Sequence, residues 1–308
     1  MATVHIRKMT KADRVEVSEL IHLSTNHWYQ THGHGPVFSG GPARTVVFFD
    51  VYEALDPGCG IVAVHPNGQL AGSCFYHPRE THVSLGIMNS HPSYTGCGVA
   101  HALLDWIIQF AEREEKPVRL VSSAMNLDSF SLYTRAGFAP RAAYQDMFLP
   151  VPKGGLKSRP PGAKRVRPAR LGDVPAIGKM EMELSGIRRE KDYRYFIKNC
   201  AGFWHASVIE GEGGRLDGFC ASSAHPGCNM IGPGIARGPQ EAAALLWAEL
   251  DRHRGRTPVF LVPVECSPLV QTAYAWGARN CELHYSQVRG ACQPFRGVNL
   301  PTFLPETA

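Results

Sequence analysis

No two of the nine cysteines stand at Cys-x-x-Cys spacing, and their number is odd. That pattern argues against a zinc knuckle and a secreted disulfide framework, and fits reduced thiols in a cytosol. There is no apolar run of about 18 residues, so no membrane span is expected. Met1 to Lys8 lacks the apolar stretch of a signal peptide and reads as the start of a strand. No Gly-x-x-x-x-Gly-Lys-Ser/Thr occurs, which excludes a P-loop. Charge is also unevenly supplied. The formal +5 arises in one segment, residues 153–170, where seven Lys/Arg stand with no acid. The stretches on either side are close to neutral, so charge gives no reason to expect a nucleic-acid-binding face on either.

At 308 residues the chain is long for one core and comfortable for two. The first half reads as a strand at Val4–Lys8 and an amphipathic helix over Lys11–Trp28, capped at Thr10. A second helix is expected at Ala43–Leu55. Strands follow at Gly60–Val64, Leu70–Tyr76 and His82–Met88, the first two joined by a hairpin turn at Asn67-Gly68. Val99 to Arg113 carries two adjacent apolar stripes, the mark of a helix packed on a sheet. A strand at Val118–Ser122, a short helix at Ser129–Arg135 and a strand region at Phe138–Leu149 complete the half.

After the Pro/Gly-rich basic connector the same order restarts. Arg165 to Val174 echoes Val4 to Asp13: strand, turn, and a helix opening on Asp. Helices at Val174–Leu184 and Lys191–Asn199 precede strands at Phe203–Ile209, Leu216–Ser222 and Met230–Ile235. A helix at Gln240–Arg254, a strand at Pro258–Val264, a helix at Leu269–Trp276 and a strand region from Glu282 follow. Two copies of one fold are the economical reading. The expected domains are residues 1–152, a linker at 153–164, and residues 165–308.

The most informative stretch is Ser90-His91-Pro92-Ser93-Tyr94-Thr95-Gly96-Cys97-Gly98-Val99-Ala100. Gly-x-Gly between a strand and a helix lays backbone N–H groups bare for an anion. By itself it could equally be a turn that happens to hold two glycines. A dinucleotide fingerprint would need glycine where His101 stands.

The later run Asn126-Leu127-Asp128-Ser129-Phe130-Ser131-Leu132-Tyr133-Thr134-Arg135-Ala136-Gly137-Phe138 supplies a second motif. Together, in this order and with a helix and a strand between them, the two resemble the GNAT N-acetyltransferase superfamily over residues 3–150. The leading Gln/Arg of that family's loop is Thr95 here. The resemblance implies an α/β fold: two tandem GNAT-like mixed sheets, each an antiparallel meander, a turn, a helix and a parallel strand pair.

It implies acetyl-CoA as cosubstrate, its pyrophosphate on Thr95, Gly96, Cys97, Gly98, Val99 and Ala100. Contacts of this kind are worth about 0.3–1 kcal/mol each when exposed. Ile87, Met88 and Asn89 would pair with the pantetheine arm, Asn126 would contact it, and Tyr133 would protonate the departing thiolate.

The general base is harder to place. The family's strand Glu is missing from Thr81–Asn89, which leaves His82 and His91 as candidates, with Glu80 a third. His27, His32 and His34 lie where this family meets its acceptor, but without a carboxylate at ligand spacing no metal site is expected.

The second half departs from the motif. Ala236-Arg237-Gly238-Pro239 stands where the glycine turn should be, and proline removes a donor. That half is expected to have no ordinary coenzyme site. The expected activity is direct attack of a primary amine, on a small molecule or a peptide, upon acetyl-CoA in a ternary complex. The alternative is a non-catalytic acyl-CoA-binding regulator. A cytoplasmic monomer or homodimer is expected, with no membrane partner. The basic linker reads as a solvated connector more than as a nucleic-acid contact.

Overall fold

A computed structural model describes residues 4–306; the reading of Met1 to Thr3 lies outside them. The described residues form two compact units: residues 4–78, 82–118 and 303–306, and residues 79–81 and 119–302.

The first unit is built from β1 (His5–Lys8), α1 (Arg14–Thr31), α2 (Val46–Leu55), β2 (Gly60–Val64), β3 (Leu70–Pro78), β4 (Val83–Ser90) and α3 (Val99–Arg113). Its strands run in the order β1-β2-β3-β4, each antiparallel to the next. The β2–β3 turn has Gly68 at φ 90, where a side chain would be strained. The apolar stripes foreseen on α3 are its buried face: Val99, Leu103, Leu104, Ile107, Ile108 and Ala111. The helix comes close to β3 because Gly72 has no side chain. A Cβ there would stand 2.5 Å from a Val99 methyl and 2.9 Å from the Asn89 carbonyl oxygen.

The second unit contains β5 (Val118–Ser123), α4 (Leu127–Arg135), β6 (Ala139–Phe148), β7 (Val166–Pro168), α5 (Val174–Ser185), α6 (Glu190–Lys198), β8 (Trp204–Glu210) and β9 (Leu216–His225). It continues through β10 (Cys228–Ala236), α7 (Pro239–Leu250), β11 (Val259–Pro263), α8 (Ser267–Ala275), β12 (Arg279–Arg289) and β13 (Val298–Leu300). Strand order is β5-β12-β6-β11-β10-β9-β8-β7, with β13 on β10. The order is not that of two separate sheets. β12, from the second sequence half, lies between β5 and β6 of the first, and β6 lies between β12 and β11. The compact units therefore part at Val118/Arg119, and the basic connector lies inside the second unit. β6 pairs with β12 from Phe148↔Arg279 to Ala139↔Val288, and with β11 from Phe148↔Val259 to Tyr144↔Pro263. Its Met147 and the following Leu149 are buried in one core with Leu245, Leu246, Phe260 and Leu269.

The echo between Val4–Asp13 and Arg165–Val174 is physical. Asp13 accepts from both Arg7 guanidinium nitrogens at 2.7 and 2.8 Å and from the Thr10 N–H at 2.7 Å. Asp173 accepts from Arg167 at 2.8 and 2.9 Å and from the Arg170 N–H at 2.7 Å. The spacing is identical, and each carboxylate fixes the entry to its half's first helix. Arg165 and Arg167 are thus engaged: Arg165 meets Asp217 and Glu241, and Arg167 also meets Glu210. Two of the seven cations of residues 153–170 serve the fold, which weakens any nucleic-acid reading of that segment.

Beyond the expected strands there is one addition among the described residues, β13. The helix expected over Gln240–Arg254 ends at Leu250 and passes into a 3-10 turn, Asp251–His253.

Two outcomes follow. Residues 1–152 expressed alone lack β12 and give no cooperative thermal transition by circular dichroism; co-expression with 153–308 restores one, and cooperative folding of 1–152 as a monomer contradicts the exchange. The Arg7 hydrogen bonds hold the Asp13 carboxyl at about 2, below the usual carboxylate range. Its contribution, about 1–2 kcal/mol after allowance for the half-exposed Arg7, is therefore complete above pH 4 and fades as pH falls toward 2. Chemical denaturation of Asp13→Asn against the wild type reads it as a stability gap that closes over that window.

Candidate functional site

The glycine turn has the geometry that an anion site needs. After β4, a 3-10 turn at Pro92–Tyr94 leads to Thr95, and Gly96 and Gly98 both take left-handed backbone, φ 77 and φ 80. A Cβ at either glycine would meet nothing within 4 Å, so steric room does not explain them; the backbone conformation does. Gly98 is the N-cap of α3, and the first bond of the helix is Ala102 N–H to Gly98 C=O at 3.0 Å. The N–H groups of Val99 and Ala100 are thus left at the helix start, where the dipole favours negative charge.

The turn refines the expectation within this stretch. The Cys97 N–H donates to the Tyr94 carbonyl at 3.1 Å and the Thr95 N–H to the Pro92 carbonyl at 3.2 Å. The Thr95 hydroxyl also donates to Pro92, at 2.9 Å. Thr95 and Cys97 therefore shape the turn. Among the described residues no acceptor is found for the N–H groups of Gly96, Gly98, Val99 and Ala100. Thr95, Gly96, Cys97 and Gly98 are exposed, Val99 is buried, and Ala100 is half-buried.

Upstream, β4 carries a bulge. Cys74 faces Met88 and Tyr76 faces Leu85, so β4 spends one residue more than β3 across Gly86–Ile87. Bulges re-aim a strand, and they recur beside binding sites. Ile87 and Met88 are half-buried. The Asn89 side chain turns into the unit, donating to the Ser24 hydroxyl of α1 at 2.7 Å, so its backbone is what it can offer a ligand.

The two candidate bases are not brought together. His82 is fully buried just before β4, at the strand end away from the turn. At about 3.3 Å per residue it stands some 20 Å along the strand from Asn89. His91 adjoins the turn, but its Nδ1 accepts the Ser93 N–H at 3.1 Å and its ring lies against Tyr94. Glu80 accepts the Glu190 N–H at 3.4 Å, at the start of α6. Of the acceptor-side histidines, His32 stacks on Trp28 at 4.2 Å and His34 meets Tyr29 edge-on.

In the second unit, Asn126 is the N-cap of α4: its side-chain oxygen accepts the Ser129 N–H at 2.9 Å, which leaves the amide NH₂ to point elsewhere. Tyr133 is 6% exposed on the same helix, its ring against Phe138.

The second half repeats the frame and changes the turn. β10 has the same extra residue, between Ile231 and Gly234, so Gly234–Ala236 correspond to Met88–Ser90. β10 is parallel to β11 only at Met230 and Ile231. Beyond the bulge its partner is β13, with Gly234↔Leu300, Ile235↔Asn299 and Ala236↔Val298. The backbone that would face a ligand's arm is thus already paired within the chain. A Cβ on Gly297 would stand 2.4 Å from the Ala236 oxygen, so the segment passes directly over the turn. Gly238 is extended at φ −152, Pro239 opens α7, and Arg237 is tied to Glu183 at 2.6 and 2.9 Å. The turn lacks the two left-handed glycines of the first half, and Pro239 takes away the N–H that Val99 offers at the corresponding position.

Sequence reasoning missed one group. Among the described residues a single set of three ligand-type side chains has its atoms within 4.8 Å of one another: Asp146 on β6, with Glu282 and His284 on β12, all buried. The period-two spacing Glu282-x-His284 places both on one strand face. Asp146 was invisible as their partner, because the exchange that pairs it with Glu282 is not written locally. The set fits a hydrogen-bonded chain better than a metal. His284 Nδ1 bonds the Asp146 carboxylate at 2.8 Å, and Nε2, on the far side of the ring, faces Glu282 at 4.0 Å. A single ion could not meet both ring nitrogens.

Comparison with known proteins adds the following. The family profile described as the acetyltransferase (GNAT) family matches residues 18–138. No curated protein matches the sequence. Among solved structures, a candidate acetyltransferase from Pyrococcus horikoshii is similar at TM-score 0.75 and 13% identity, over 99% of this chain and 96% of that one. A GCN5-related N-acetyltransferase from Sphaerobacter thermophilus is similar at TM-score 0.65 and 16% identity, covering 94% and 96%. A tandem GNAT protein from the clavulanic acid biosynthesis pathway is similar at TM-score 0.60 and 14% identity, covering 94% and 98%. At these identities the likeness is one of fold. No helix among the described residues is long and apolar enough to cross a membrane.

Proposed function

We propose that this chain, which belongs to the GNAT superfamily as a tandem-domain member, is an acyl-CoA-dependent N-acetyltransferase. The observation that carries the reading is the pair of left-handed glycines at the start of α3, which exposes the N–H groups of Gly96, Gly98, Val99 and Ala100. These four amides hold the pyrophosphate of acetyl-CoA, with Thr95 and Cys97 shaping the turn around it. With Thr95 in place of a cation at the head of the loop, the phosphates are held by dipoles alone. The backbone of Ile87, Met88 and Asn89, re-aimed by the bulge, pairs with the pantetheine arm, and the Asn126 amide donates to that arm. An amine of a small molecule or a peptide attacks the thioester carbonyl, the C–S bond breaks, and the Tyr133 phenol protonates the leaving thiolate.

The second half has no equivalent site in this reading, because β13 pairs with the backbone that corresponds to Met88–Ser90 and Pro239 lacks a donor. Nine free cysteines support a cytoplasmic location.

A non-catalytic acyl-CoA-binding protein is the second reading, favoured by one observation: His82 is fully buried and the His91 Nδ1 is engaged by the Ser93 N–H. Thiol release from acetyl-CoA across a panel of amino acids, polyamines, aminoglycosides and peptides decides between them. The transferase reading expects turnover with at least one class, and a kcat lowered about 100-fold or more in Tyr133→Phe. Tight acetyl-CoA binding with no turnover, and no effect of Tyr133→Phe on that binding, would establish the second.

A further inference from the structure

The buried group on β6 and β12 answers the question that His82 and His91 leave open. We propose that the second sequence half supplies the proton acceptor for the acyl transfer, with Glu282 receiving the amine's proton and His284, held by Asp146, standing beside it. This rests on the transferase reading above.

Three observations support it. First, Glu282 accepts a short hydrogen bond from the Ser123 hydroxyl, and the Ser123 oxygen in turn accepts the Met125 N–H at 3.1 Å. The Ala124 N–H bonds the Leu283 carbonyl at 2.8 Å. Glu282 is thereby fastened to the end of β5, three residues before Asn126 and at the entry to the helix that carries Tyr133. Second, α4 and β12 also meet through Phe130 and Tyr285, whose rings lie 5.7 Å apart. The two residues with proposed roles on α4 and the acidic group therefore share one unit and one strand end.

Third, Asp146 and Glu282 are direct partners in the β6–β12 register, and both are buried. Two buried carboxylates side by side cannot both stay charged unless a cation stands with them. His284 lies against both, Nδ1 on Asp146 and Nε2 toward Glu282. Burial works against an imidazolium there, but Asp146 outweighs it and the His284 pKa ends raised. Burial also raises that of Asp146. The groups that face His284 are Asp146 and Tyr144 from β6 and Glu282 from its own strand.

The protons balance as follows. The acceptor enters as an ammonium, R–NH₃⁺, and gives one proton to the Glu282 carboxylate. The neutral nitrogen forms the C–N bond, the C–S bond breaks, and Tyr133 protonates the thiolate. A second proton leaves the nitrogen as the amide forms and restores the phenol. Glu282 returns its proton to solvent, so each turnover releases one. The recognised substrate class is accordingly a cationic primary amine, drawn to an acidic end by its charge.

The test takes the full-length protein with the amine it turns over best, and compares wild type, Glu282→Gln, Glu282→Asp and His284→Gln. Glu282→Gln is expected to lower kcat about 100-fold while the acetyl-CoA dissociation constant stays within twofold. Glu282→Asp recovers part of the loss, and His284→Gln shifts the acidic limb of the kcat–pH profile. Should Glu282→Gln not fold, Ser123→Ala, which removes the hydroxyl that bonds Glu282, must lower kcat severalfold by itself. Full kcat in a folded Glu282→Gln, or in Ser123→Ala where that variant stands in, overturns this inference and leaves the transferase intact. Acetyl-CoA binding with no turnover of any amine by the wild type overturns both.

Discussion

The antiparallel pairing of β6 with β12 is the constraint on which the second unit depends. Each is the last strand of its own sequence half up to that point, and each lies inside the other half's strand order. The pairing runs over most of both strands, and it carries the core residues Met147 and Leu149 into contact with α7, β11 and α8. A sheet edge left open at β5 or β11 would offer unpaired N–H and C=O groups to any other chain. The exchange closes both. It also brings Asp146 and Glu282 together, which neither half could do alone.

The two halves share one frame and differ at one turn. The Arg7–Asp13 and Arg167–Asp173 pairs are alike atom for atom in their bonding, and β4 and β10 share a bulge at the same register. What differs is small in extent. Two left-handed glycines stand at the start of α3, whereas the start of α7 has an extended glycine, a proline and an ion-paired Arg237. Gly297 then allows the chain to cross the Ala236 carbonyl, so that β13 pairs where a ligand's backbone-like arm would lie. The second half's turn thus lacks the left-handed glycine pair, and the strand edge beside it is filled by β13.

Much of this was legible in the sequence, for reasons that are local. The α3 stripe, Gly-x-Gly before it, the Asn-Gly hairpin and the aspartates that open both first helices depend on neighbours within a few residues, and each lies where its pattern puts it. The availability of particular amides was half legible. Gly-x-Gly foretold an open turn, but only coordinates show the Thr95 and Cys97 N–H groups bonded to Pro92 and Tyr94. His82 and His91 were plausible by residue type; one proved to be buried at the far strand end and the other to be the cap of a 3-10 turn. The order of strands was not legible, nor was anything that depends on it. Asp146 and His284 are 138 positions apart, and no periodicity or motif connects them.

The central claim is that one of two like halves holds acetyl-CoA, on the amides that Gly96 and Gly98 expose. Isothermal titration of the full chain with acetyl-CoA tests it most directly, because the quantity read is a stoichiometry. One molecule per chain is the predicted result, with binding lost when Gly98 is replaced by proline. Two molecules per chain, or one that survives Gly98→Pro, would contradict the account.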